Sequence, residues 1–146
     1  MTPEERAQLV ERMNEGMWQW VPHNRELGLQ VLDFRGRGEV WMKLPYAERL
    51  VGNPETGILH GGAITSLMDA ASGMAVMVKL GMGEPIATLD LRIDYLKPAA
   101  PRRDVTAHTE IVKVTKNVVF VRGIGFVDDE KDPVASVAAT FMRKGA

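Results

Sequence analysis

The segment from Gly57 to Val78 constrains this chain more than any other stretch of its sequence. From Ala63 to Val78 nearly every residue is apolar or small, on all sides of a helical wheel. A helix that is apolar all round is normally buried inside a protein rather than placed on its surface. The sequence therefore predicts a central helix over residues 61–80, which begins at a glycine pair and ends before a further glycine. The rest of the fold has to cover this helix.

Asp69 is the one charged residue between Gly61 and Val78. It lies two turns into the helix, too far in to act as an N-cap, and burial of an unpaired carboxylate is costly. One interpretation makes Asp69 a core acid that is paired with an arginine or with backbone amides. The other assigns it to chemistry, because the glycine-rich helix start offers free N–H groups and a partial positive charge of about half a unit. A carboxylate base and such an oxyanion site together indicate hydrolysis of an acyl group.

The rest of the chain predicts one helix and six strands around this centre. Residues 2–20 show helical spacing of apolar residues behind a capping box. Residues 28–34 and 38–44 are predicted to form a hairpin, because the turn Arg35-Gly36-Arg37-Gly38 has the glycines that such a turn needs. Four further strands are predicted over 86–97, 103–115, 117–128 and 133–143, and the first of them shows the period-two alternation of a half-buried strand. Because short polar turns join the last four, the sheet is expected to be antiparallel. The fold class is therefore α+β, an antiparallel sheet curled around a long helix, in one domain over residues 1–146.

Composition excludes several classes of protein. The 146 residues contain no cysteine, which rules out disulfides, a thiol nucleophile and a zinc ribbon. A net charge of −1 leaves no electrostatic footprint for nucleic acid. Since there is no run of 18 apolar residues and no apolar leader, we expect no membrane partner and a cytoplasmic location. The three histidines are widely spaced without an acidic ligand pattern, so no metal site is expected.

Two segments carry a family resemblance. His60-Gly61-Gly62, with Asp69 nine residues after His60 and small residues beyond it, resembles the motif of the hotdog-fold acyl-CoA thioesterases. The closest subgroup is the phenylacetate-degradation (PaaI-type) thioesterases. The segment Thr88–Pro98 resembles the strand after the helix in the same family, and the resemblance extends over about residues 26–143. It implies a hotdog fold and hydrolysis of an acyl-CoA to free CoA and a carboxylic acid, with no cofactor besides the CoA of the substrate.

The resemblance also implies roles for residues on the central helix and on the strand that follows it. The Gly61 N–H, together with that of Gly62, is expected to polarise the thioester carbonyl. Asp69 is expected to act as the general base for water or as a nucleophile in an anhydride route, and the sequence leaves both open. Thr88 matches a Ser/Thr position that helps to place the water.

Loop residues complete the predicted site. Asn53 resembles the family's loop asparagine that orients water or the carbonyl, although its spacing to His60 is one residue longer than in the commonest pattern. His60 is expected to shape the loop and to contact the thioester sulfur or carbonyl. Lys97, Arg102 and Arg103 lie near strand ends and are expected to bind the phosphates of CoA.

Two other functions stay open at this point. A non-catalytic hotdog protein that binds acyl-CoA would need the pocket but no acidic residue at position 69. A hotdog dehydratase or hydratase would need a histidine and an acid aimed at carbons 2 and 3 of the acyl group, and His60 with Asp69 would supply them. The glycine pair resembles the thioesterases more. In each case Trp18 and Trp20 are candidates to shape the substrate pocket.

Helix geometry predicts that the active site is shared between two chains. The eight residues from Gly61 to Asp69 correspond to about 12 Å along a helix axis. One thioester carbonyl has to lie about 3 Å from the N–H donor and also close to the attacking water. Two antiparallel helices meet this requirement if Gly61 of one chain faces Asp69 of the other. We therefore expect a homodimer, which the resemblance extends to a homotetramer.

Overall fold

The computed structural model describes residues 1–144 of the chain. Its helices are α1 (Pro3–Trp20), α2 (Pro22–Leu27) and α3 (Gly61–Leu80), with a short 3-10 helix at Glu48–Leu50. Its strands are β1 (Gln30–Arg35), β2 (Glu39–Leu44), β3 (Val51–Asn53), β4 (Ile58–Leu59), β5 (Ile86–Tyr95), β6 (Val105–Val114), β7 (Val118–Phe126) and β8 (Ala135–Arg143).

Six of these strands form one antiparallel sheet in the order β1-β2-β6-β7-β8-β5. The helix α3 packs on one face of this sheet, mainly against β2, β6 and β7. An antiparallel sheet wrapped around one long helix is the hotdog fold, so the predicted fold class is confirmed. The six predicted strands are all present, with ends that differ from the prediction by a few residues because strand ends run into turns.

The hairpin between β1 and β2 depends on one glycine. Gly38 has a φ of +85°, a backbone conformation that side chains other than glycine rarely adopt. A Cβ atom at this position would also lie 2.3 Å from Cγ1 of Ile111. The turn predicted from the glycines at positions 36 and 38 therefore forms where it was expected, and it lets the end of α3 approach the sheet closely.

The predicted N-terminal helix is confirmed as α1. Thr2 and Glu5 form the expected capping box at its start. The helix is attached to the sheet edge through β1, because the Asn14 side chain both donates to and accepts from the backbone of Val31, at 3.0 and 2.6 Å. Trp18 adds a hydrogen bond from its indole nitrogen to the Leu29 carbonyl at 2.7 Å. This attachment holds α1 beside α3 without filling the space between them.

The burial of α3 differs from the prediction. Its sheet-facing residues Leu67, Met68, Ala71 and Ala75 are fully buried, but Asp69 on another side is only half-buried. A single sheet covers one side of a helix, so an apolar surface remains that this chain alone does not enclose. By length and composition α3 is apolar enough to cross a membrane, but half of its apolar stretch is buried within the described part of the chain. The core helix of a globular domain meets the same criterion.

Two local structures were not predicted from the sequence. The helix α2 is only six residues long, which is too short to show a helical period, and it ends at Gly28 with a φ of +69°. The small sheet of β3 and β4 lies within residues 51–59, between the strand predicted over 38–44 and the central helix. The β3–β4 sheet matters to the site, because it holds the chain on either side of the turn that follows Asn53 and leads it into α3.

Candidate active site

The first turn of α3 is capped by His60. The Gly62 N–H donates to Nδ1 of the His60 ring at 2.8 Å, so the imidazole serves as the N-cap acceptor. Because Nδ1 accepts, the ring carries its proton on Nε2. The predicted contribution of the Gly62 N–H to carbonyl polarisation therefore does not fit this geometry, since a donor already bound to a ring nitrogen is not free for substrate.

The Gly61 N–H is left as a free donor in a fixed backbone. The His60 N–H donates to the Leu50 carbonyl at 2.8 Å, and the His60 carbonyl accepts from the Ala63 N–H at 3.0 Å. The His60 carbonyl belongs to the same peptide group as the Gly61 N–H, so this group is held, while the N–H itself has no hydrogen-bond partner within residues 1–144. A fixed and unpaired N–H at a helix start is the kind of preorganised donor that stabilises a developing oxyanion.

Tyr95 holds the same turn from the sheet side. Its hydroxyl donates to the Gly61 carbonyl at 2.7 Å and lies within hydrogen-bond distance of the Thr65 hydroxyl. A Cβ atom built on Gly61 would lie 3.1 Å from the Tyr95 hydroxyl oxygen, so the ring covers this glycine closely. Tyr95 is not among the site residues predicted from the sequence. The alternation of β5 could have indicated it, because Tyr95 lies on the same face of the strand as Leu91 and Ile93. All three residues pair with buried residues of β8.

Asp69 lies beside Thr88, as the two predicted roles require. The Thr88 hydroxyl donates to Oδ1 of Asp69 at 2.9 Å. Asp69 forms no ion pair with any residue in the part of the chain that the structure describes. Within residues 1–144 Asp69 therefore has neither the arginine partner nor the backbone-amide bonds that the core-acid interpretation requires. The carboxylate is half-buried and borders a cavity, with its second oxygen left for other contacts.

Asn53 ends the short strand β3 and starts a tight turn. Its side-chain oxygen accepts from the Glu55 N–H at 3.0 Å, and its carbonyl accepts from the Gly57 N–H at 3.0 Å. This is the self-bonded turn that asparagine favours. The strand lies close to the helix cap, since a Cβ atom at Gly52 would be 3.2 Å from Cα of His60. The catalytic role of Asn53 remains a prediction, for which its side-chain amide N–H groups are available.

The three predicted phosphate-binding residues fall into two groups. Lys97 and Arg103 form ion pairs with acids of the β7–β8 turn, Asp132 and Asp128 respectively. Arg102 has no ion pair in the described range 1–144, and its backbone has a φ of +55°. Its side chain covers the Gly57 turn so closely that a Cβ atom on that glycine would lie 3.1 Å from Cγ of Arg102. The Arg102 N–H donates to the carbonyl of the same turn at 3.0 Å. Of the three, Arg102 alone has no ion-pair partner among residues 1–144, and the phosphate-binding role of all three stays a prediction.

A cavity of about 740 Å³ lies between α1, α3 and the start of β5. Asp69 and Thr88 are in its wall, so the carboxylate opens onto it. The remaining lining is largely apolar and includes Met13, Met17, Met74, Met77, Trp20 and Phe141. Of the two tryptophans considered from the sequence, Trp20 lines the cavity and Trp18 does not. A volume in this range is typical of a small-molecule site with a few polar groups.

The predicted catalytic residues form two clusters that a single chain does not bring together. Asn53, His60 and Gly61 lie at the start of α3, whereas Asp69 and Thr88 lie two turns further along. The eight-residue separation between Gly61 and Asp69 corresponds to about 12 Å along the helix. A smaller cavity of about 350 Å³ lies beside His60 and Gly62 and shares lining residues with the larger one. Each cluster therefore faces open space.

Comparison with known proteins agrees with this architecture. Residues 56–134 match the thioesterase superfamily. The medium/long-chain acyl-CoA thioesterase YigI of Escherichia coli K12 is 31% identical, over 84% of this chain and 85% of that protein. A protein of Halobacterium salinarum is 38% identical over 95 residues, which is 61% of its own length. Among solved structures, a Pseudomonas aeruginosa protein is 42% identical with a TM-score of 0.81, and covers 92% of this chain and 98% of its own.

The phenylacetic acid degradation protein PaaI from Thermus thermophilus also resembles this chain. It is 25% identical in sequence, with a TM-score of 0.71 over 84% of this chain and 98% of that one. The superfamily match and the acyl-CoA thioesterase relatives identify the chain as a thioester hydrolase. This chain belongs to the thioesterase superfamily, in the PaaI-type group.

Proposed function

We propose that this protein is an acyl-CoA thioesterase whose active site combines Gly61 of one chain with Asp69 and Thr88 of a second copy. The observation that carries the proposal is the Asp69–Thr88 pair, which opens onto an apolar cavity of about 740 Å³. The superfamily and the names of relatives such as the medium/long-chain acyl-CoA thioesterase YigI support the substrate class.

The chemistry starts with a water molecule next to the Asp69 carboxylate. Thr88 donates to Oδ1 and so leaves Oδ2 to accept the proton of the water. The water oxygen attacks the thioester carbon, and the carbonyl oxygen becomes an oxyanion that the Gly61 N–H stabilises. The intermediate then collapses, the carbon–sulfur bond breaks, and the leaving thiolate takes the proton from Asp69. In the alternative route an Asp69 oxygen attacks the thioester carbon and the carbon–sulfur bond breaks, which releases the CoA thiolate and leaves a mixed anhydride. Water then hydrolyses this anhydride to the carboxylic acid and the Asp69 carboxylate, and the remaining proton goes to the thiolate.

The exposed surface supports a dimer in which the two β5 strands meet. β5 forms an edge of the sheet, ten residues long and paired on one side only within residues 1–144. Its bulged residue Leu89 is 55% exposed and the adjoining Leu96 is 53% exposed. A long edge strand with exposed apolar side chains favours pairing with another strand. Antiparallel pairing about a two-fold axis would place the two α3 helices side by side and cover their open faces.

Two further apolar residues lie on the helix-free face of the sheet. Phe120 and Met142 are 39% and 51% exposed, and both alternate with buried neighbours that face α3. Contact between two dimers across this face is our proposal for the homotetramer. Molar mass by light scattering distinguishes monomer, dimer and tetramer, and the charged variant Met142→Lys should stop assembly at the dimer.

Mixing two inactive variants tests the shared site. Asp69→Asn removes the base, and Gly61→Pro removes the donor N–H at a position where proline suits a first helical turn. The preceding residue, His60, has a ψ of 137°, which is compatible with a following proline. Random exchange makes about half of the dimers mixed, each with one intact site, so activity should return to roughly a quarter of wild type. Folded variants that exchange subunits and recover nothing would contradict the shared site.

The assay itself separates this function from its alternatives. Release of free thiol from acyl-CoA is expected for a thioesterase, whereas a dehydratase or hydratase changes the absorbance of an enoyl-CoA and releases no thiol. A protein that only binds acyl-CoA gives neither signal. Thiol release by wild type that is lost in Asp69→Asn supports the proposal, and an enoyl signal without thiol release overturns it.

A further inference from the structure

One face of α3 leads away from Asp69 along the large cavity. Asp69, Gly73 and Met77 follow each other at four-residue intervals, so they are stacked on one side of the helix, and all three line this cavity. At a rise of 1.5 Å per residue, Gly73 lies about 6 Å and Met77 about 12 Å from Asp69 along the axis. The cavity therefore extends along α3 from the candidate catalytic carboxylate past Gly73 to Met77.

The backbone does not require the glycine at position 73. Gly73 is fully inside α3 and its φ is not positive, unlike those of Gly28, Gly38, Gly57 and Gly81. Glycine in the interior of a helix is about 1 kcal/mol less favourable than alanine. Crowding does not require it either, since a Cβ atom there would make an ordinary contact of 3.5 Å with Cε1 of Phe141. The Cβ position at Gly73 borders the side chains of Phe141 and Ile86, at 3.5 and 4.0 Å, and both of these residues line the same cavity. The missing side chain therefore leaves this section of the cavity wall without a projecting group.

The opposite wall is also open and adaptable. A Cβ atom at Gly16 of α1 would have no atom within 4 Å, although this glycine lines the same cavity. Its neighbours in the lining, Met13 and Met17, carry flexible side chains that fit apolar groups of irregular shape. Two glycines on facing helices with methionines around them leave a passage suited to a flexible chain.

We infer that Gly73 sets the length of the acyl chain that this enzyme accepts. The inference rests on the proposed function, with the thioester carbonyl held near Asp69 and the acyl chain lying along α3 past Gly73 towards Met77. An extended chain advances roughly 1.2 Å per bond, by comparison with an extended polypeptide. The passage to Gly73 therefore holds about five bonds and the passage to Met77 about ten. The substrate class is a flexible acyl group of roughly ten carbons.

The test replaces the glycine with a side chain that closes the passage. Wild type, Gly73→Leu and Gly36→Leu are compared on saturated acyl-CoA substrates from butanoyl to tetradecanoyl. Each buried methylene contributes roughly fourfold to binding, so excluding three of them lowers kcat/KM about 50-fold or more. We expect this loss for decanoyl-CoA with Gly73→Leu, while butanoyl-CoA changes by less than about threefold on the same reasoning. Gly36→Leu in the β1–β2 turn is the matched control, because a Cβ atom at Gly36 would have no atom within 4 Å and this residue does not line the cavity, so the profile should stay unchanged.

A second variant and a binding measurement test the inference even if Gly73→Leu does not fold or the wild type shows no thiol release. Gly16→Leu closes the passage from the opposite wall and should produce the same selective loss if Gly73→Leu does not fold. Equal losses on short and long substrates, in folded variants, would overturn the inference while leaving the thioesterase proposal intact. If wild type releases thiol from none of the substrates, the proposed function fails on its own. Binding of butanoic and decanoic acid then tests the passage, since Gly73→Leu should lose affinity for decanoic acid alone.

Discussion

The hydroxyl of Tyr95 offers a test of how the oxyanion donor is positioned. It donates to the Gly61 carbonyl at 2.7 Å and meets Thr65, so it fixes the first turn of α3 from the sheet side. Tyr95→Phe removes this contact and keeps the ring that covers Gly61. Because Tyr95 is 53% exposed, water can replace the lost bond, and the free energy of unfolding should fall by about 1 kcal/mol or less. The corresponding drop in Tm is about 4 °C at most.

The effect on turnover should be larger than the effect on stability. Complete loss of an oxyanion donor lowers kcat about 10²–10³-fold, and a donor that is displaced rather than lost should cost less. We expect kcat to fall roughly tenfold in Tyr95→Phe, with KM within about twofold of wild type, since the donor acts mainly on the transition state. Steady-state thiol release from one acyl-CoA over a range of concentrations measures both constants.

Tyr46→Phe is the matched control for this experiment. Tyr46 is the other of the two tyrosines, and its hydroxyl makes no hydrogen bond within the described residues 1–144. Loss of the Tyr46 hydroxyl should leave kcat and KM unchanged. A folded Tyr95→Phe enzyme with wild-type kcat would refute the positioning role. A large fall in Tm with turnover reduced only in proportion to the unfolded fraction would make Tyr95 a structural residue.

Two further substitutions test the acid and the phosphate contact. Asp69→Asn keeps the shape and removes the base, so thiol release should fall at least ~10²-fold, and near-normal turnover by the folded variant would make Asp69 structural. Arg102→Gln should raise KM for acyl-CoA and reduce its sensitivity to salt, because an exposed charge contact is lost, while KM for a short thioester without the nucleotide stays the same. Arg103→Gln is the control, since its charge is paired with Asp128, and an equal rise in KM for both variants would contradict the assignment.

Local pattern was sufficient to predict much of the fold. The apolar run and the flanking glycines placed α3 over residues 61–80, and alternation placed the strands, because both signals depend on neighbours in sequence. The same run singled out Asp69 as a charge without an obvious local partner. The short elements α2, β3 and β4 were not predicted, because a segment of two to six residues is too short to show a helical or strand period of apolar residues.

Contacts between distant segments were decided by the tertiary structure. The way β5 packs beside α3 brings Tyr95 to Gly61 and Thr88 to Asp69. No spacing along the chain specifies which of these side chains meet. The His60 ring takes the Gly62 N–H, which the motif had left free. The passage beside Gly73 exists because α1 is bound to β1 rather than to α3, so the cavity is a property of how helices dock. Sequence patterns report which face of an element is buried, whereas the partners on that face depend on packing in three dimensions.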